Sequence, residues 1–150
     1  MLSKKTKYAI KALLYLAKNH GKGPILIATL SKDEKIPKKF LEAILLDLRK
    51  QGILGSKIGV GGGYYLLKDP AEVYLSQVLR SIDGPIALIP CVSLNFYERC
   101  DDCVDEVACS IRDVMMDVRD ATLKVVSGTT ILDMLKREEE LKKGEKKVKK

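Results

Sequence analysis

Four cysteines, Cys91, Cys100, Cys103 and Cys109, lie within residues 91–109 and nowhere else in the 150-residue chain, spaced C-x8-C-x2-C-x5-C. Thiolates at such spacing can ligate zinc, copper(I) or iron–sulfur iron, and neighbouring thiols can oxidise to a disulfide. Free cysteines are also commonly small buried hydrophobes. That fits poorly here, because Glu98, Arg99, Asp101, Asp102, Asp105 and Glu106 share the segment. Cys100-x2-Cys103 has the spacing of a zinc knuckle, but there is no second CxxC pair and the single histidine, His20, is remote. A chain this long can bury a core without covalent staples, and its lysine-bearing N-terminus has no apolar signal core, so a secreted disulfide framework is not expected. An iron–sulfur site, a zinc site and thiol-redox chemistry all stay open on the residues alone.

A second chemistry is written in the charge. The formal net charge is +7. Residues 1–70 hold 14 Lys/Arg against 5 Asp/Glu, a balance of +9; residues 71–135 balance at −6 and residues 136–150 at +4. A basic first half joined to an acidic middle suggests polyanion binding by the former and a different task for the latter. No apolar run exceeds six residues, against roughly 20 needed to span a bilayer. A cytoplasmic chain with no membrane partner is expected.

The elements that must position these residues follow from periodicity. Tyr8, Ala9, Ala12, Leu13, Leu16 and Ala17 recur at helical spacing within Lys4–Asn19, with lysines on the complement and Gly21, Gly23 and Pro24 as the stop. A short helix over Ile27 to about Lys32 follows. A third begins with Pro37 in its first turn and runs towards Gly52, anchored by Phe40, Leu41 and Ile44. Ile53–Ile58 and Tyr64–Leu67 then read as strands of a hairpin around the glycine cluster at 59–63. Helix, short helix, helix and hairpin, in a basic segment, make a winged helix-turn-helix whose third helix would enter the major groove of duplex DNA. The glycine cluster lacks the GxxxxGK[ST] or GxGxxG context of a nucleotide loop, so it reads as a tight wing.

On that scaffold Lys38 and Lys39 can reach phosphate or a guanine edge, and Glu42 can accept from a cytosine amino group, unless it merely pairs with Lys38 or Lys39. Lys4, Lys7, Arg49 and Lys57 are candidate phosphate contacts. Gly61, Gly62 and Gly63 would let the wing approach the backbone, and Tyr64 would orient the wing or pack beneath it. Leu75–Ile82 predicts a further helix, and Ile86–Ala108 a loop. A long helix from about Ser110 to Ser127 carries a stripe of Ile111, Val114, Met115, Val118, Ala121 and Val125. The stripe must pack on its own domain or on a second copy, and twofold-symmetric operators favour the homodimer. A short helix over 130–135 precedes a charged tail expected to fray.

From Leu2 to about Leu135 the chain resembles the bacterial IscR/NsrR/CymR family of winged-helix transcriptional regulators. The likeness is carried by Leu2-Ser-Lys-Lys-Thr-Lys-Tyr-Ala9, Phe40-Leu-Glu42, Leu48-Arg-Lys-Gln-Gly-Ile-Leu54 and Gly61-Gly-Gly-Tyr64. The resemblance implies a mainly α fold with a small β wing, a dimer made by the long helix, and a palindromic or nearly palindromic DNA site. IscR- and NsrR-like members hold an iron–sulfur cluster in the loop before that helix; CymR-like members lack one and answer to a partner protein. Cys103 and Cys109 match the last two cluster cysteines, and Cys91 matches the first. The chain departs from the pattern in the long Cys91–Cys103 gap and the extra Cys100. Arg112 and about Lys7 stand where the fourth ligand usually is. Cys100 is available either as that fourth thiolate or as a resolving thiol for Cys103.

The expectation is therefore a winged helix-turn-helix domain over 1–83, a cysteine-containing sensor loop over 84–110, a dimerisation helix and short helix over 111–135, and a flexible tail over 136–150. The function expected is that of a non-enzymatic homodimeric regulator, a repressor in mode. It would sense iron–sulfur status, redox state or nitric oxide through a 2Fe-2S or 4Fe-4S cluster held by Cys91, Cys100, Cys103 and Cys109. The alternatives are a cofactor-free or thiol-redox regulator governed by an effector protein, and a winged-helix adaptor that binds protein rather than DNA.

Overall fold

The structure, a computed structural model, describes residues 2–148, with side chains through Glu145. Its elements run α1 (Lys4–Lys18), α2 (Ile27–Glu34), α3 (Lys38–Lys50), β1 (Leu54–Lys57), β2 (Gly63–Leu66), α4 (Leu75–Ile82), α5 (Ser110–Ser127) and α6 (Ile131–Val148). Mainly helical, with an antiparallel hairpin and a long helix beyond it, the chain has the expected winged helix-turn-helix architecture.

α1 starts where Ser3 can cap it: the Ser3 hydroxyl accepts the Thr6 N–H at 3.0 Å. Its inner face, Ala9, Ala12, Leu13 and Leu16, is buried against the inner face of α3, where Leu41, Ile44, Leu45 and Leu48 are each inaccessible to solvent. α2 reaches Glu34, two residues beyond expectation, and is closed by Lys35 in the left-handed region at φ 54°. The Lys11 ammonium donates to the Glu34 carbonyl at 2.7 Å, placing a cation at that helix end. Pro37 sits at the N-cap of α3 rather than within its first turn. Phe40, expected as a core anchor, is half exposed instead. It meets Tyr8 edge-on with ring centroids 6.1 Å apart, and the Lys4 ammonium lies 5.7 Å from the Tyr8 ring on the same seam.

The wing pairs Leu54 with Leu66 and Lys57 with Gly63. Ile25, from the loop before α2, exchanges two backbone hydrogen bonds with Tyr64, at 2.8 and 2.9 Å, fastening β2 to the helical layer. This approach requires Gly63: its φ is +146°, and an added Cβ would lie 2.2 Å from the Ile25 carbonyl oxygen.

α5 folds back on α4 and on the 3-10 turn Pro90–Val92, while most of the apolar stripe the sequence emphasises stays outside that packing. The inward side includes Arg112, Met116, Arg119, Leu123 and Val126, while Ile111, Val114 and Val125 are 66%, 53% and 59% exposed. α6 also departs from expectation, because it runs unbroken to Val148 instead of stopping at Leu135. Thr130 and Asp133 cap its start reciprocally, and these hydrogen bonds hold the Asp133 carboxyl below its usual range. Ile131 is buried in the main core, and Glu138 joins Lys18 of α1 at 2.9 Å and Lys142 one turn on at 2.9 Å. Core contacts, an ion pair to α1 and strong intrinsic helix formers together continue a helix that composition alone assigns to fraying.

Gly63→Ala is expected to lower unfolding free energy by roughly 1–3 kcal/mol through the strained backbone and the lost Ile25–Tyr64 bridge. Urea denaturation followed by circular dichroism checks this; an unchanged midpoint refutes the close approach.

Candidate nucleic-acid interface and thiol site

Helical periodicity decides which α3 residues meet a ligand. Burying Leu41, Ile44, Leu45 and Leu48 on one side turns Lys38, Lys39 and Glu42 to solvent on the other, and all three are exposed. Glu42 makes no ion pair with Lys38 or Lys39 among the described residues, so its carboxylate is available to an external donor. Lys4, Lys7, Arg49 and Lys57 are exposed as well. Two of these have partners in the fold: Lys4 stacks on Tyr8, and an Arg49 Nη1–H donates to the Ser56 hydroxyl on β1 at 2.9 Å. Arg49 thereby fixes the wing relative to α3 while keeping its remaining donors outward.

The wing glycines divide by cause. Gly62 is buried, and a Cβ there would fall 2.3 Å from the Lys57 carbonyl oxygen, so the turn itself demands it; Gly63 is demanded by Ile25. Gly61 stands in open space at φ +71°. Tyr64, on β2, is half buried, packs against the core and is bridged to Ile25 through the backbone. Of the stripe on α5, Met115 and Val118 are half buried and Ala121 is exposed. Val118 faces a cleft of about 310 Å³ shared with Leu2, Asp83, Pro85, Leu88 and Arg119.

In the loop, two thiols meet. Cys91 is buried, and the Cys100 S–H donates to its Sγ across 3.8 Å. That hydrogen bond, followed by loss of solvent, holds the Cys100 thiol above the ordinary cysteine range. Cys109 is differently employed: its Sγ caps α5 by accepting the Arg112 N–H at 3.4 Å. Cys103 donates its backbone N–H to the Cys100 carbonyl at 3.2 Å, which closes the turn between them. Among the described residues no three His, Cys, Asp or Glu side chains converge as a metal site. The four expected cysteine ligands therefore do not converge on one point among the described residues. Cys100 meets Cys103, its nearest cysteine in sequence, through the backbone turn and not through a thiol hydrogen bond. The loop bends through Pro90–Val92 so that the thiol of Cys91 comes to it instead.

Arg119 escaped the sequence reading. From α5 its Nη1 donates to the Val92 carbonyl at 2.7 Å, so the residue next to Cys91 is strapped to the long helix. A basic residue on the flank of an apolar stripe gives no sign that it will clasp a loop 27 positions away. The N-terminus has a comparable tie, unseen in the sequence: the Ser3 N–H donates to Asp83 at 3.2 Å, joining the start of α1 to the end of α4.

A basic helix supported by a two-helix core, a hairpin wing fixed to it and a long helix carrying an open apolar face define a winged-helix transcriptional regulator that binds DNA. The profile of the Rrf2 family, described as an iron-dependent transcriptional regulator, matches residues 2–137, and the chain belongs to that family. An rrf2-like HTH-type transcriptional regulator of Rhodobacter capsulatus is 46% identical over 138 residues, covering 90% of this chain and 92% of that one. The structure of CymR (YrzC), the global cysteine regulator of B. subtilis, superposes with a TM-score of 0.76 at 28% identity over 91% of this chain and 97% of that one. T. potens IscR has the same fold, with a TM-score of 0.75 at 24% identity, covering 94% and 90%. Members of this family are transcriptional regulators, not enzymes. No helix among the described residues is long and apolar enough to cross a membrane.

Mild oxidation with diamide should join Cys91 to Cys100, removing two protons and two electrons from the pair. Trypsin cuts after Arg99, so this bond links two peptides, whereas a Cys100–Cys103 bond stays within one. Mass spectrometry of the unreduced digest should find the linked pair as the main product, lost in Cys100→Ser. A dominant Cys100–Cys103 bond contradicts the observed contact.

Proposed function

We propose that this chain is a homodimeric transcriptional regulator that reads a palindromic duplex through α3 and its wing and responds through the Cys91–Cys100 dithiol. The observation that carries the sensing half is the 3.8 Å thiol contact at a residue adjoining the Arg119 strap. Closing the pair to a disulfide brings the sulfurs to about 2.05 Å and releases two protons and two electrons to an oxidant such as a hydroperoxide. In this reading the closure shifts the backbone at Cys91–Val92, and Arg119 passes that shift to α5. If α5 sets the spacing of two recognition helices, the reduced and oxidised arrangements differ in operator affinity, which is the differential interaction any such coupling requires.

Lys39 is assigned to phosphate, Glu42 to a cytosine amino group, Lys38 to either phosphate or a guanine edge, and Lys4, Lys7, Arg49 and Lys57 to phosphates. The exposed Ile111, Val114 and Val125 support self-association through α5, with Met115, Val118 and Ala121 bordering the seam. A second reading is favoured by the family's description as iron-dependent: a cluster held by the loop cysteines after rearrangement. A controlling partner protein fits the first reading equally.

Duplexes selected from a random pool provide the operator, and fluorescence anisotropy then tests recognition. Lys39→Ala should weaken binding and reduce the salt slope by about one, while Glu42→Ala should forfeit about 1–3 kcal/mol of discrimination at one base pair. Oxidation should change operator affinity by roughly 5- to 150-fold, and Cys100→Ser should erase that response. Equal, salt-insensitive binding to operator and scrambled DNA defeats the regulator reading. Retention of iron and acid-labile sulfide after anaerobic reconstitution, lost in Cys103→Ser, favours the cluster over the dithiol.

Val114→Asp changes a side chain that is 53% exposed in the single chain, so the protomer should fold normally. At a dimer seam it buries an unpaired charge, and sedimentation velocity should show monomer. A persistent dimer places the interface elsewhere.

A further inference from the structure

The tip of the wing carries two side chains that the fold does not use. Ile58 and Val60 are fully exposed, at 95% and 103%, and alternate with Gly59 and Gly61. Both glycines have positive φ, 96° and 71°, and the Gly62 N–H closes the turn on the Gly59 carbonyl at 3.0 Å. The result is a thin ribbon with two β-branched side chains projecting from it. Such residues stabilise nothing within the chain where they stand, and leaving them in water forgoes the burial they would otherwise gain.

We propose that Ile58 and Val60 enter the minor groove of the duplex whose major groove α3 reads, with Ile58 acting as an apolar wedge at a flexible base step. This rests on the DNA-binding reading above and deepens it. Three features select that occupant. Arg49, in the last turn of α3, holds β1 through Ser56, so the tip is continuous with the proposed reading surface. Lys57 directly precedes the tip and is exposed, giving it a cation suited to a groove lined by phosphates. The glycine neighbours also keep the ribbon slim, as a groove about 6 Å wide demands.

Charged residues would read that groove by its acceptors and its potential. Apolar ones contact deoxyribose walls and can part a base step, kinking the duplex towards the major groove. Pyrimidine–purine steps, which unstack most easily, are the expected preference. Ile58 and Val60 would therefore contribute specificity outside the base pairs that α3 touches.

The test compares the full-length wild type with the double variant Ile58→Ser/Val60→Ser, whose melting temperature should match because neither side chain is packed. The probe is the selected operator with 2-aminopurine at successive flanking steps. Wild type should raise 2-aminopurine fluorescence at one TA or CA step and bind about tenfold more tightly than the variant, with an unchanged salt slope. The variant should lose both the fluorescence rise and the preference for that step. Wild type and variant binding the operator alike, with silent probes, overturns the proposal while the regulator reading stands; that result would leave the apolar tip to a protein partner. Failure of the wild type to prefer operator over scrambled DNA overturns both.

Discussion

The packing of α3 on α1 is the constraint from which the remaining geometry follows. Four consecutive inner positions of α3 are completely buried, and α1 presents two alanines and two leucines to them, so the helices approach closely and without slack. Because a helix turns about 100° per residue, fixing one face fixes the other. The contact that supplies apolar burial therefore also aims Lys38, Lys39 and Glu42 outward. Loosening the core would not simply reduce stability; it would also rotate the reading surface. The ion pair of Lys5 with Asp47 at 2.8 Å and the Lys4–Tyr8–Phe40 stack sit along this same seam and restrain its register.

Around that pair the chain builds by short backbone ties rather than by further layers. Ile25 bonds Tyr64 to secure the wing; Leu75 and Ile131 bond Thr129 and Val73 to join the starts of α4 and α6. These are pairings of a residue or two, too brief to be strands in their own right. They still settle the direction in which each helix leaves. α6 then lies along α1 and returns the C-terminal segment to the DNA-binding half.

The cysteine loop belongs physically to α5 more than to the wing. Its buried end is held by Arg119, and its last cysteine caps the helix N-terminus. Events at the thiols would therefore act first on the long helix, whose outer apolar face is open. The loop is shaped by a division of labour among the four cysteines: one pair of thiols in contact, one sulfur capping a helix, and Cys103 closing a turn through its backbone N–H.

Local physics alone determined the helix order, the hairpin, the length of α5 and the outward set on α3. Periodicity of 3.6, glycine's positive φ and proline's fixed φ act over a few residues and need no distant partner. Three matters were decided only by the tertiary structure. Which face of α5 turns inward depended on the loop it clasps, since both of its sides carry apolar residues. The extent of α6 depended on Lys18 and a core position for Ile131, because exposed lysine and glutamate favour helix without guaranteeing it. The sulfur pairing depended on how an aperiodic loop bends. Sequence spacing measures distance along the chain, but a charged loop without periodicity has no repeat to convert that distance into space. The Cys100 thiol therefore meets that of Cys91, nine positions away, while Cys103 meets Cys100 through a backbone turn.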